Sequence, residues 1–134
     1  MRWERHNSRD MAYSKWHRHL GDNVTMLDID AVEFCNRCWT PLAVMELAND
    51  VNQKSKPFTL TLKVALACKV PGYVVLYTVD DQKPEEDCIV GFRVMKIYPE
   101  ISDYNKVTPD QYKKWLQALH DNCPCLKRKK LMER

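Results

Sequence analysis

Three carboxylates and four thiols carry most of the chemistry open to this chain of 134 residues. Asp28 and Asp30 stand two apart in an extended, β-branched run, so both project from one strand face. Glu46 falls in the next apolar run, and a hairpin between the two runs places it beside them. Carboxylates crowded onto one face repel each other unless a cation sits among them. Hard oxygen ligands of this kind suit Mg²⁺ or Mn²⁺. Such an ion can polarise a phosphate and generate hydroxide from bound water. The competing reading is that Asp28 and Asp30 line the solvent face of a half-exposed strand.

The thiols form two close pairs. Cys35 and Cys38 have CxxC spacing in a tight turn, and Cys123-Pro124-Cys125 lies near the other end. Together they supply the four thiolates of a tetrahedral structural zinc site, provided the hairpin tip and the C-terminal segment meet. No thioredoxin-like context surrounds the CxxC, so a redox role is the weaker reading. Cys68, on a helix stripe edge, and Cys88, at a strand start, are expected in the core.

The elements that must position these groups follow from periodicity and punctuation. Residues 11–20 suit a short helix, capped by Ser8 or Asp10 and stopped by Gly21-Asp22. Val24–Cys35 and Pro41–Ala48 read as two strands of a hairpin. After a polar connection at 49–57, Thr59–Lys69 suits a helix with Leu62, Ala65, Leu66 and Lys69 on one stripe, ended by Pro71-Gly72. Tyr73–Val79 is apolar almost throughout, as in a strand buried on both faces. An acidic loop at 80–87 leads to a strand at Cys88–Tyr98. Thr108-Pro109-Asp110-Gln111 then supplies an N-cap, a first-turn proline and a capping-box glutamine. Behind them Tyr112, Trp115, Leu116 and Leu119 form one apolar face, with Trp115 expected at its buried centre. The order α-β-β-α-β-β-α predicts a mixed α/β fold, a central mixed sheet with helices packed on it.

Length and composition set the bounds. The chain is the size of one domain, and 45% hydrophobic with 29% charged residues is a globular mixture. The expected division is a flexible lead at 1–10, one domain at 11–125 and a basic tail at 126–134. No apolar run reaches membrane-spanning length, and the Arg-rich start lacks the apolar core of a signal peptide. A cytoplasmic protein with reduced thiols is the expectation. A net charge of +3 is too small to establish a nucleic-acid partner. Trp16, His17, Arg18 and His19 cluster before the first strand: Trp16 is expected in the core, and Arg18 or His17 within reach of a phosphate. Lys127 to Lys130 could add non-specific attraction to a nucleic-acid backbone or simply solubilise the end. Phosphate-loop, dinucleotide, HExxH and nucleophile-elbow signatures are all missing.

Three stretches carry a resemblance: YSKWHRHL, MLDIDAVEFCNRCWTPLAVMELA and KPFTLTLKVALACKVPGYVVLYT, between Tyr13 and Thr78. This half of the chain resembles the PD-(D/E)XK nuclease superfamily, and within it a group of small phage-encoded proteins. The resemblance implies a restriction-endonuclease-like core and Mg²⁺- or Mn²⁺-dependent hydrolysis of DNA, in a host cytoplasm and with a homodimer as one arrangement. It assigns Asp30 to the family's metal-binding aspartate, with Asp28 as rival, and Glu46 to the glutamate of ExK. The lysine two positions after that glutamate is replaced by Ala48. A cation from another element could take over, and Lys56 in the KP step is favoured over Lys63 in the following helix. The alternative is a catalytically inactive relative that binds nucleic acid or inhibits a host protein.

Overall fold

The apolar run before the acidic loop becomes the centre of a five-stranded sheet, because a strand without a polar face needs cover on both sides. The computed structural model of the protein describes residues 11–23, 25–26, 29–53 and 56–126. In chain order these are α1 (Ala12–His17), β1 (Ala31–Phe34), β2 (Pro41–Asn49), α2 (Thr59–Cys68), β3 (Gly72–Val79), β4 (Ile89–Tyr98), β5 (Asn105–Val107) and α3 (Pro109–Asp121). A 3₁₀ turn at Glu85–Asp87 interrupts the acidic loop. The strands lie in the sheet in chain order, β1-β2-β3-β4-β5. Only β2 and β3 are parallel, and α2 is the crossover that such a pair requires. The mixed α/β class is as expected; β5 is an addition, too short at three residues to show a period.

α2 and α3 each cover one face. On one face Ala43, Met45, Tyr73 and Val75 are buried beneath Tyr112, Trp115, Leu116 and Leu119 of α3. On the other, Val74, Leu76, Met95 and Ile97 are covered by Phe58 and Leu62. Gly72 lets α2 come close: a Cβ there would stand 3.0 Å from the Ala65 Cβ and 3.2 Å from Ile97. α3 begins with the full capping box, in which the Gln111 N–H donates to the Thr108 hydroxyl and the Thr108 N–H to the Gln111 side chain.

Several expectations need correction. The first strand begins at Ala31 rather than Val24, because the Leu47 N–H on that edge of β2 is taken by the Asp30 carboxylate instead of the backbone. α2 meets the sheet through Phe58, Thr61, Leu62 and Ala65, an i, i+3, i+4, i+7 ridge. That rotation leaves Leu66 56% exposed, and Lys69 caps the helix in the left-handed region at φ 57°. Cys68, at the last helical position, is exposed and Cys88 only half-buried, so neither is a core residue. Trp16 is 57% exposed, because the six-residue α1 buries no side chain and the indole packs on Tyr13 at 5.6 Å instead. The expected caps Ser8 and Asp10, the lead at 1–10, Asp28 and the tail from 127 lie outside the described residues.

Trp115 is half-buried rather than enclosed, since α3 lies on the sheet as an outer layer. Its ring still meets Tyr73 edge-on at 4.8 Å, and Tyr112 stacks on Phe92 at 4.1 Å. Trp115→Ala is expected to cost about 3 kcal/mol in denaturant unfolding, the low end for an aromatic truncation. A loss below about 1 kcal/mol would show that α3 adds little to the core.

Candidate metal centres

The β1–β2 register decides where the acids meet. Continuing the Ala31↔Met45 pairing by one step sets Asp30 opposite Glu46, with both side chains on one face. Like charges directly opposed destabilise a sheet. Here a cation lies between them. The Lys56 ammonium donates to Asp30 Oδ2 at 2.9 Å and to the Leu47 carbonyl at 2.8 Å, and it lies 3.0 Å from Glu46 Oε2. The other Glu46 oxygen accepts from the Thr61 hydroxyl at 2.6 Å, and the Leu47 N–H donates to Asp30 Oδ2 at 2.9 Å. Glu46 is the most enclosed of the three, its side chain 12% exposed against 34% for Asp30 and 31% for Lys56. Burial alone would raise the Asp30 carboxyl, but hydrogen bonds from Lys56 and the Leu47 N–H outweigh it and hold the group below its ordinary value. Burial likewise disfavours the charge on Lys56, yet its bonds to the two carboxylates hold the ammonium above its ordinary value.

The cluster draws on three separate segments: the residue before β1, the middle of β2 and the connection into α2. Ala48 packs with Phe58 and Leu62 on the α2 side of the sheet and offers no charge. Of the two replacement lysines, Lys56 reaches the acids, while Lys63 is exposed in mid-helix. Among the described residues, the bonds to Asp30 and Glu46 come from Lys56, Leu47 and Thr61, not from His17 or Arg18. His17 is half-buried beside Tyr13 and Arg18 caps α1 in an exposed position. Thr61 had no signal of its own in the sequence. Its position three residues into a helix that packs on Glu46 becomes meaningful only once that packing is known.

Three oxygens from Asp30, Glu46 and Leu47 thus converge on one cation. A hard divalent ion takes the same kind of donor set, carboxylates and a main-chain carbonyl. In this structure the cation among these oxygens is the Lys56 ammonium, which lies between the two carboxylates.

The four cysteines meet. Sγ of Cys35 lies 3.7 Å from that of Cys125, and Sγ of Cys38 lies 3.5 Å from that of Cys123. All four sulfurs fall within 4.8 Å of one another. Four sulfurs held about 2.3 Å from a tetrahedral zinc would stand about 3.8 Å apart. The spacing fits that geometry and is too long for disulfides. Local turns build each half. At the hairpin the Trp39 N–H bonds to the Cys35 carbonyl at 2.7 Å, with Trp39 in the left-handed region at φ 63°. At the end of α3 the Cys123 N–H bonds back to the His120 carbonyl at 3.3 Å. Two further contacts bring the halves together: Arg37 donates to the His120 carbonyl at 2.7 Å, and the His120 ring lies 2.6 Å from Glu33 Oε1.

Thiolate chemistry favours a cation here too. The hydrogen bond between Cys38 and the Thr40 hydroxyl, together with the Thr40 N–H, pulls the Cys38 thiol down to about 6. Cys35 is also lowered: burial opposes its charge, but the N–H groups of Cys38 and Arg37 outweigh it. Although the Cys125 N–H favours a Cys123 thiolate, burial and the neighbouring thiols push that group up to about 12. Successive thiolates therefore repel, and a divalent ion removes that repulsion. The Arg37 guanidinium beside them offsets part of the surplus negative charge. These cysteines can hold a metal such as zinc.

No family model, no curated protein and no solved structure matches the chain. Among the described residues, no helix is long and apolar enough to cross a membrane.

Proposed function

We propose that the chain is a divalent-metal-dependent DNA nuclease of the PD-(D/E)XK type. The observation that carries this reading is the meeting of Asp30, Glu46 and Lys56, from three separate segments, within hydrogen-bonding distance. The local topology supports it: an acid at the start of one strand, an acid inside its antiparallel neighbour, then a crossover helix and a parallel strand. That arrangement agrees with the order implied by the resemblance to small phage-encoded members of the superfamily.

In this reading Asp30 and Glu46 hold Mg²⁺ or Mn²⁺, which when bound supplies a Lewis acid and an activated water. The Leu47 N–H and the Thr61 hydroxyl aim the two carboxylates, so little reorganisation is needed when the substrate arrives. Lys56 substitutes for the lysine missing at position 48 and places its ammonium against the charge that develops on the phosphate. The cysteine cluster takes a structural Zn²⁺. DNA is the partner, and cutting both strands would call on two copies of the chain.

The test uses linear duplex, branched and single-stranded DNA with Mg²⁺ or Mn²⁺. Lys56→Ala should lower cleavage at least about 100-fold, while Lys63→Ala stays within a few-fold of the wild type. Equal losses in both, or a loss in Lys63→Ala alone, would remove Lys56 from the role. A second reading, an inactive relative that binds nucleic acid or a host protein, is favoured by one observation. Ala48 leaves the ExK position without its cation. Tight DNA binding without cleavage in either metal would select it.

A further inference from the structure

Lys56 lies in the connection from β2 to α2, a few residues beyond Asp50 and Gln53. The first half of that connection is tied down from β4. Arg93 Nε donates to Asp50 Oδ2 at 2.7 Å and Nη2 to Asp50 Oδ1 at 2.9 Å, a bidentate fork. The same Nη2 donates to the Gln53 carbonyl at 3.0 Å. The guanidinium also lies over the Tyr104 ring, 5.0 Å from its centroid. The loop closes on itself around this anchor. The Asn52 N–H donates to Asp50 Oδ1 at 3.1 Å, the Val51 N–H to Gln53 Oε1 at 2.8 Å, and the Asp50 N–H to the Tyr77 carbonyl at 2.7 Å. Arg93 holds the Asp50 carboxyl below its ordinary value, as a fork on a largely buried acid should.

We propose that Arg93 is a positioning residue for the acid centre: by gripping Asp50 and the Gln53 carbonyl it sets the β2–α2 connection so that Lys56 reaches Asp30, Glu46 and the Leu47 carbonyl. The catalytic meaning of that placement rests on the nuclease reading above; the placement itself does not. Arg93 points from the same sheet face as Met95 and Ile97, the face that also carries Glu46 and α2. A lysine at this position keeps the charge but cannot form the two-pronged grip while also holding the Gln53 carbonyl in line.

Two measurements on Arg93→Lys and Asp50→Asn test this, the second variant loosening the same grip from the loop side. The first is the rate at which an amine-reactive reagent modifies Lys56, followed by mass spectrometry, with Lys63 as internal reference. Lys56 should be modified several-fold faster in both variants than in the wild type, and Lys63 at an unchanged rate. An unchanged Lys56 rate in the folded variants overturns the proposal. The second is DNA cleavage in two backgrounds. Each variant should lose about 10- to 100-fold activity when Lys56 is present and show no further loss when added to Lys56→Ala. An equal loss in both backgrounds would mean that Arg93 acts independently of Lys56, and the proposal falls. If the wild type cuts no DNA but Lys56 modification still rises, the positioning role stands and the nuclease reading is the part that fails.

Discussion

Asp30→Asn should abolish Mg²⁺- and Mn²⁺-dependent cleavage, a loss of at least about 100-fold, while leaving the fold intact. The amide keeps the size of the side chain and an oxygen that can still accept the Leu47 N–H now bound at 2.9 Å. What it removes is one negative charge from the oxygens around the cation. Glu46→Gln does the same on β2 and retains an acceptor for the Thr61 hydroxyl. Binding to DNA should hold or tighten in both variants, because a charge of the same sign as the phosphates has gone. A wild-type protein that cuts no DNA in either metal, with variants that bind as it does, would rule out the enzyme reading. A fall in melting temperature large enough to explain the lost activity would instead assign the two acids to stability.

The second large effect concerns zinc. Freshly purified, reduced protein should contain about one zinc per chain by elemental analysis. Removing it with a chelator, or making Cys35→Ser, should lower the melting temperature by roughly 10 °C, equivalent to about 3 kcal/mol in a chain of this size. The cost is large because Cys35 and Cys123 are almost completely buried, at 1% and 2% exposure, and their thiols would be left crowded without a counter-ion. Metal-free protein with an unchanged melting temperature would end the idea. Chelation should weaken the attachment of α3 through its far end, where His120 meets Glu33 and Arg37.

Much of this was legible from residue types. The capping box at Thr108 and Gln111, the doubly buried run that became β3 and the two cysteine pairs each carry a signal within a few residues. What escaped depends on packing. Nothing local marks Arg93 as the partner of Asp50, 43 residues away, since an arginine in an alternating strand reads as a solvent-facing charge. The expected stripe of α2, Leu62, Ala65, Leu66 and Lys69, takes in Leu66 and leaves out Thr61. The helix buries the threonine, which has Glu46 to bond, and exposes the leucine. The strand ahead of Asp30 was read as too long for a related reason: a side chain took the ladder bond of Leu47, and a propensity scale has no term for that competition.

Because the strands lie in the sheet in the order in which they occur in the chain, each pairing joins segments that are neighbours in sequence. Apart from the crossover through α2, the loops that must close to form the sheet are short, which favours rapid folding. The thiol contacts are among the long-range exceptions, linking positions 85 and 90 residues apart. Such a closure is expected late, after the sheet has brought α3 back to the hairpin. An interaction absent from the folding transition state acts on the unfolding rate. The cysteine clasp is therefore a device for lifetime rather than for speed: with metal bound, the folded chain should persist longer between openings, while the time it takes to fold changes little.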